Sequence, residues 1–427
     1  MIQWFFIATI LLLPLQFALN VGENIDLVTT KILIPAVFLL WLIKSLARKK
    51  LWIPNKVEMW LIMSFLFLSF LSLWGGFDWE KGARKILYLL SIVPVYFVAA
   101  DLAQDEKFRV KIIRIIWASG TLAAVMGLVQ FFLPFVWGLD RTLKIWKNAA
   151  VFFLGNSFGK IVATNPSWLV NISGETRMRA FGFFPDPHVF SFFVSLCFFA
   201  GLGLMLYEKS NFWKTLIATG NLLMISAVFF SFSRGAYLGV IIGSLFFLIF
   251  LLKKKNILGK IVIAGMVALI VALIFYQQAV YRRLVSAFNF KEGSNVERLE
   301  NWRQAVGMVQ DFPFSGVGLG NYASVIDPTA GERSSIYAHN LFLDIAAETG
   351  ILNAIVFLTL ILVGIWRNVI SRNILGLGIA SGLVYFFIHG IFDTPLWSPQ
   401  VMVVLLIMLA LVNNKLKVQN GKSKVAV

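Results

Sequence analysis

Apolar stretches of about 18 residues or more recur from one end of the chain to the other, separated mostly by short polar connections. Each is long enough to cross a hydrocarbon layer about 30 Å thick as a helix. About twelve such spans are predicted, starting near residues 2, 28, 57, 85, 111, 187, 213, 234, 260, 338, 374 and 397. Two stretches break the rhythm with long polar segments, residues 138–186 and 278–337. The expected fold class is therefore an all-α polytopic membrane protein, with a large extracytoplasmic loop between spans nine and ten. It divides into N-terminal helices (1–137), a first loop (138–186), central helices (187–277), a second loop (278–337), C-terminal helices (338–413) and a basic tail (414–427). The first run, MIQWFFIATILLLPLQFAL, lacks a basic leader and a small-residue cleavage site, so it is expected to be a first span and not a removable signal.

The connections alternate in charge. LIKSLARKK (42–50), DLAQDEKFRVKIIR (101–114), LLKKKNILGK (251–260), WRNVISR (366–372) and KLKVQNGKSK (415–424) are basic, whereas NVGENID (20–26) is acidic and IFDTPLW (391–397) has no base. The tendency of short basic loops to stay inside places both termini in the cytoplasm, with both long loops outside. Arg177 and Arg179 of the first loop and Arg298 and Arg303 of the second then face outward. So do Arg234, His339, His389 and Asp393, which sit at the outer ends of predicted spans.

Composition sharpens this. Of 427 residues 59% are hydrophobic and 14% charged, against about 25% charged in soluble domains. The net charge is +17, and a good part of the excess lies in the outer loops, where retention in the cytoplasm does not account for it. An anionic substrate does. Cys197 is the single cysteine, which excludes an internal disulfide, and three histidines give no sequence motif for a metal centre.

Five segments carry candidate chemistry. In SFSRGAYLG (231–239), Arg234 stands between two apolar runs, where an unpaired charge is expensive and functional by default. In RMRAFGFFPDPH (177–188), two guanidinium groups suited to phosphate precede prolines that fix the entry of the next span. In NVERLENWRQAVGMVQDFPFSGVGLGNY (295–322), Arg298, Trp302, Ala305 and Met308 share a face, so 296–310 is expected to be an amphipathic helix; GVGLG lacks the Lys-Ser/Thr of a nucleotide loop and is expected to be a turn. In YAHNLFLDIAAETG (337–350), His339 stands at a helix mouth ahead of Asp344 and Glu348; its imidazole can take a proton from a hydroxyl. HGIFDTPLW (389–397) adds His389 and Asp393 four residues apart.

Together these segments resemble the O-antigen ligase and O-antigen polymerase superfamily of bacterial membrane glycosyltransferases. The resemblance rests on about twelve spans, the arginine of SFSRGAYLG, and the pattern Arg298, Trp302, Ala305, Pro313, Gly316, Gly318, Asn321, then His339-Asn340 with Gly350. One position departs from it: ligases often carry a small or hydroxylated residue where this chain has Asn353. The resemblance implies transfer of a glycan from a polyprenyl (undecaprenyl) diphosphate donor to a glycan, lipid or protein acceptor on the extracytoplasmic face, with membrane lipids as surroundings and no nucleic acid. It implies inversion at the anomeric carbon and no metal or other cofactor. His339, Arg234 and Arg298 would be catalytic; Arg177, Arg179, Arg303, Asn340, His389 and Asp393 would bind substrate. A flippase for lipid-linked oligosaccharide is the competing expectation from another class. Its arginines would line a path across the membrane instead of gathering at one face.

Overall fold

The computed structural model describes residues 2–22, 25–172, 174–252, 293–330 and 336–412. These are almost wholly helical, with two short antiparallel hairpins, β1 (Ala18–Gly22) with β2 (Ile25–Val28) and β3 (Leu169–Ile172) with β4 (Glu175–Met178). Among the described residues, eight helical segments are long and apolar enough to cross a membrane, and three shorter apolar helices accompany them. The protein is a multi-pass membrane protein. The span expected near residue 260, and Arg282, Arg283, Lys291 and Arg333, lie outside the described residues.

The elements are α1 (Ile2–Leu11), α2 (Thr29–Ala47), α3 (Val57–Leu71), α4 (Trp79–Ile92), α5 (Pro94–Leu102), α6 (Glu106–Trp137), α7 (Leu139–Leu154), α8 (Asn156–Val162), α9 (Pro187–Tyr207), α10 (Asn211–Phe230) and α11 (Arg234–Leu252). After the second loop begins come α12 (Gly293–Asp311), α13 (Tyr322–Ile326), α14 (Leu341–Thr349), α15 (Ile351–Ile370), α16 (Ile374–Gly390) and α17 (Pro399–Ala410). Helix α12 matches the expected amphipathic helix, with Ala305 and Met308 buried.

Helix α9 forms the axis of the bundle: it is buried along most of its length and packs against α6, α10 and α16, while α16 also packs against α11. Small residues allow this in a chain whose helices gain little from hydrophobic attraction to one another. A Cβ on Gly378 of α16 would lie 2.6 Å from the Phe199 carbonyl oxygen and 3.0 Å from Gly203 Cα of α9. Several buried charges are paired. Arg367 meets the fully buried Glu58 at 2.7 Å, and Lys56 donates to the Val412 carbonyl at 3.0 Å, tying α3 to α15 and to the end of α17.

The structure differs from the expected span near 338. The helix is divided at Gly350, whose φ of +89° turns the chain between the short α14 and the long α15. Only glycine fits: a Cβ there would stand 2.1 Å from the Phe314 carbonyl oxygen. The break lets the GVGLG turn lodge against the end of α14, where the Val317 amide donates to the Ala347 carbonyl at 2.8 Å. Asn321, just past the turn, accepts from the Asp78 amide at 2.7 Å, and Lys85 pairs with Glu348 at 2.7 Å. The segment 316–321 is thus fastened to the start of α4 and to the end of α14.

The division at Gly350 predicts an asymmetry. Gly350→Ala is expected to destabilise the protein by more than about 1 kcal/mol, because the native φ is incompatible with a side chain. Gly307→Ala, on α12 with nothing within 4 Å of the new Cβ, is expected to be neutral or stabilising by up to about 1 kcal/mol. Thermal unfolding midpoints of the two variants in one detergent check this; equal midpoints would contradict it.

Candidate functional site

The three histidines lie far apart in sequence, yet they meet at one end of the bundle. Each is delivered by an element that begins or ends there. His188 stands in the first turn of α9, whose start is fixed by Pro187 and by Asp186, a cap that accepts from the His188 and Val189 amides at 2.7 and 2.9 Å. Side-chain oxygens at this position satisfy amides the helix leaves open. His389 is in the last turn of α16. His339 precedes α14 with φ of +52°, a conformation uncommon outside glycine that marks a constrained position. Asn340 caps α14 through its side-chain oxygen, accepting from the Phe342 and Leu343 amides, both at 3.1 Å.

Asp393 joins them. It follows α16 in a turn in which its amide donates to the His389 carbonyl at 3.1 Å. One carboxylate oxygen lies 3.2 Å from His188 Nδ1, and the other 3.7 Å from His339 Nδ1. Asp393 is nearly sealed from solvent. Burial alone would raise its carboxyl, but the imidazoles of His188 and His339 hold it well below the usual carboxylate range. Ser233 completes the centre: its hydroxyl is 3.1 Å from His188 Nδ1 and 3.3 Å from His389 Nε2. His389 stacks on Phe192 with ring centroids 3.7 Å apart, its Nδ1 lies 2.8 Å from the Tyr385 hydroxyl, and Gly235 leaves room for the ring.

A second carboxylate braces the mouth. Asp344 accepts from the Ala338 amide at 2.7 Å and from the Thr394 hydroxyl, so it links the residue before His339 to the residue after Asp393. Burial pushes the Asp344 carboxyl up to about 7, against the two hydrogen bonds, and pushes Asp186 up to about 6.

The arginines divide. Arg234 opens α11 directly after Ser233, the residue whose hydroxyl lies between His188 and His389. Arg298 on α12 is half-buried and acts electrostatically on the same pocket. Burial raises the Tyr337 phenol, aided by Asp393, Asp186 and Asp344, and the Arg298 charge opposes this. Arg179 is buried; its Nε donates to the Ser231 carbonyl at 2.7 Å and its Nη1 to the Ser167 carbonyl at 3.1 Å. It therefore holds the turn that presents Ser233 and Arg234. Arg177 pairs with Glu175 on the β3–β4 hairpin, and Arg303 pairs loosely with Glu300 on the exposed side of α12. Neither is brought to the histidines. Asn353, the position that departs from the ligase pattern, is buried and donates to the Ser69 and Thr349 hydroxyls at 2.9 Å.

His188, Ser233, Tyr385 and Thr394 were not singled out by the sequence. A signal for His188 existed: Asp-Pro ahead of an apolar run marks a helix start, and a histidine one residue later sits on the open first turn. Among the described residues no group of three or more His, Cys, Asp or Glu side chains is arranged to hold a metal ion. Chemically, the pocket offers imidazoles oriented by one carboxylate, with guanidinium charge beside them. Such a set can accept a proton from a hydroxyl and stabilise a departing anion.

The two raised carboxyls predict how stability depends on pH. Asp344 and Asp186 bind protons more readily folded than unfolded, so stability falls as pH rises from about 4 towards 7. Asp393 acts oppositely: its contribution is present above the ordinary carboxylate range and is lost as pH falls through it. Asp344→Asn keeps the hydrogen-bonded shape and is expected to flatten the decline between pH 4 and 7, leaving the part due to Asp186. Unfolding midpoints across that range, with an unchanged slope in the variant, would refute it.

Comparison with known proteins bears on the same region. Residues 219–358 match the model of a family described as O-antigen ligase, and this segment contains Arg234, Arg298 and His339. The chain is also 25% identical over 299 residues to a ComP-specific O-oligosaccharyltransferase of Acinetobacter baylyi. That match takes in 64% of this chain and 53% of the relative, so it spans about half the relative's length. Over the segment that carries Arg234, Arg298 and His339, the chain is therefore similar to the O-antigen ligase family.

Proposed function

We propose that this protein is a ligase-type glycosyltransferase acting at the extracytoplasmic face of a bacterial inner membrane, both termini being cytoplasmic. The donor is a glycan on a polyprenyl diphosphate such as undecaprenyl diphosphate. The observation that carries the proposal is the meeting of His339 with Asp393 at one end of the bundle, with the Arg298 charge acting on the same pocket and Arg234 next in the chain to Ser233; His339, Arg234 and Arg298 fall in the segment similar to O-antigen ligases.

In this scheme the acceptor oxygen attacks the anomeric carbon while the bond from that carbon to the diphosphate oxygen breaks. The electron pair leaves with the lipid diphosphate, and attack from the opposite face inverts the centre. Guanidinium groups of Arg234 and Arg298 hold the diphosphate and tighten as charge develops on the leaving oxygen. His339 activates and orients the acceptor hydroxyl, with Asp393 beside its ring at 3.7 Å. Metal-independence follows from the resemblance and from arginines taking the role of charge neutralisation. Arg179 supports the turn behind Arg234, while Arg177, Arg303 and Asn340 extend the binding surface and the helix mouth.

Two observations favour a protein acceptor over a lipid one. The Acinetobacter baylyi relative is named an oligosaccharyltransferase, and Asn353 replaces the small or hydroxylated residue frequent in ligases. A polymerase, with a second glycan as acceptor, fits the same centre. The flippase alternative lacks what it needs among the described residues, a line of cationic groups leading from one face to the other.

Glycan transfer by the purified protein in lipid, with an undecaprenyl-diphosphate-linked oligosaccharide and EDTA present, tests this. Wild type should transfer to a serine-containing peptide or to a second glycan. His339→Ala should lose about 100-fold or more while still binding donor. Equal transfer by both would remove His339 from the chemistry. Donor movement across the bilayer without transfer would replace the transferase by a flippase.

A further inference from the structure

The hydrogen bonds around His389 fix the proton positions of the whole pocket. The Tyr385 hydroxyl lies 2.8 Å from the Ser191 carbonyl and 2.8 Å from His389 Nδ1. A carbonyl only accepts, so the single phenolic proton goes to Ser191 and Nδ1 of His389 must donate to the phenol. His389 is fully buried against Phe192 and within hydrogen-bond distance of no carboxylate, a setting for a neutral ring, so its Nε2 is an acceptor. The Ser233 proton therefore points to His389 Nε2. The Ser233 oxygen has only lone pairs left for its other neighbours, and so does the Asp393 carboxylate. His188 Nδ1 lies 3.1 Å from the first and 3.2 Å from the second, so it must carry the proton and donate to them. In the neutral ring, Nε2 of His188 is then a free base.

We propose that His188 is the proton acceptor of this centre, held in its Nδ1–H tautomer by Asp393 and the Tyr385–His389–Ser233 chain, while His339 orients the acceptor hydroxyl. The inference rests on the transferase function proposed above and deepens it. His188 is the better oriented of the two imidazoles that share Asp393: its contact is within hydrogen-bond range, whereas that of His339, at 3.7 Å, is beyond it. Its side chain keeps 22% exposure, while His389 is closed off and can only orient. The proton of the acceptor hydroxyl passes to His188 Nε2 as the acceptor oxygen bonds to the anomeric carbon and the lipid diphosphate departs with its electron pair. Asp393 matches the charge of the resulting imidazolium. His389, Ser233 and Tyr385 are positioning residues; His188 alone of these four meets the substrate. Arg298 and Arg234 then serve the leaving group.

The test uses the full chain in nanodiscs with an undecaprenyl-diphosphate-linked oligosaccharide and a serine peptide. His188→Gln should lower kcat by about 100-fold or more with the donor KM changed less than threefold. His188→Ala should regain activity with added imidazole but not with added toluene. Tyr385→Phe should lower kcat several-fold and leave donor KM unaltered. Retention of more than half of kcat in His188→Gln, or a loss in His188→Ala that imidazole does not relieve, would overturn the assignment. Nitrogen-15 NMR of histidine-labelled protein separates this inference from the one beneath it. It should show both His188 and His389 protonated at Nδ1, whether or not transfer is seen. A protonated Nε2 on neutral His188 would refute the tautomer, and absence of transfer by wild type with the expected tautomers would refute the transferase.

Discussion

A carboxylate sealed in an apolar bundle is expensive unless its charge is met, and Asp393 is met by imidazoles from two other segments of the chain. That requirement organises everything near it. For His188 to reach Asp393, α9 must begin at the same depth as α16 ends, which Pro187 and the Asp186 cap secure. For His339 to reach it, the chain ahead of α14 must turn sharply, which the left-handed backbone at His339 and the Asn340 cap achieve. Asp344 then bonds to both sides of this meeting, through the Ala338 amide and the Thr394 hydroxyl. The pocket is a set of helix ends pinned to each other, and its polar groups answer one another and not the lipid.

The rest of the bundle makes that pinning durable. Helix α9 packs closely against α16 because Gly203 and Gly378 let their backbones meet, so the two histidine-bearing ends are held by a rigid contact along their length. At other points the same logic appears as buried ion pairs and capped ends, such as Glu58 with Arg367 and Lys56 with the end of α17. These contacts tie α3, α15 and α17 together, while the Lys85–Glu348 pair joins α4 to α14 and Asn321 joins the turn after α12 to the start of α4.

Hydrophobic period and charge alternation made the class legible: greasy segments must span and basic short loops must stay inside, and the helical, multi-pass structure follows. Residues whose type is expensive in an apolar setting were legible too. Arg234, His339, His389 and Asp393 stood out for that reason, and they lie together. What the sequence hid were relationships. Nothing in the order of residues says that His188 and Asp393, more than two hundred positions apart, share a hydrogen bond, because the contact is made by tertiary packing of α9 on α16. Ser233 and Tyr385 were invisible because a serine or tyrosine in an apolar run is ordinary until its partner is known. The division at Gly350 was hidden for another reason. Hydropathy continues smoothly through it, and only the close approach of the Phe314 carbonyl makes the glycine necessary. Arg177 and Arg303 show the converse: a cation in a polar loop looks the same whether it faces a pocket or an acidic neighbour such as Glu175 or Glu300.

The looseness of His339 is as informative as the tightness of His188. A group that must meet a substrate arriving from the membrane surface gains from standing at the mouth with one unfilled hydrogen bond, and His339 Nδ1 has no partner closer than Asp393 at 3.7 Å. A group that must keep one tautomer gains from saturation on the protein side, and His188 Nδ1 has both Ser233 and Asp393. Apo sites often hold their catalytic contacts long until substrate closes them. One carboxylate serving a saturated imidazole and an unsaturated one can therefore keep its charge satisfied throughout, because it need never release the first to tighten on the second. That is the physical reason for a shared aspartate here, and it makes the burial of Asp393 compatible with a mouth that stays open.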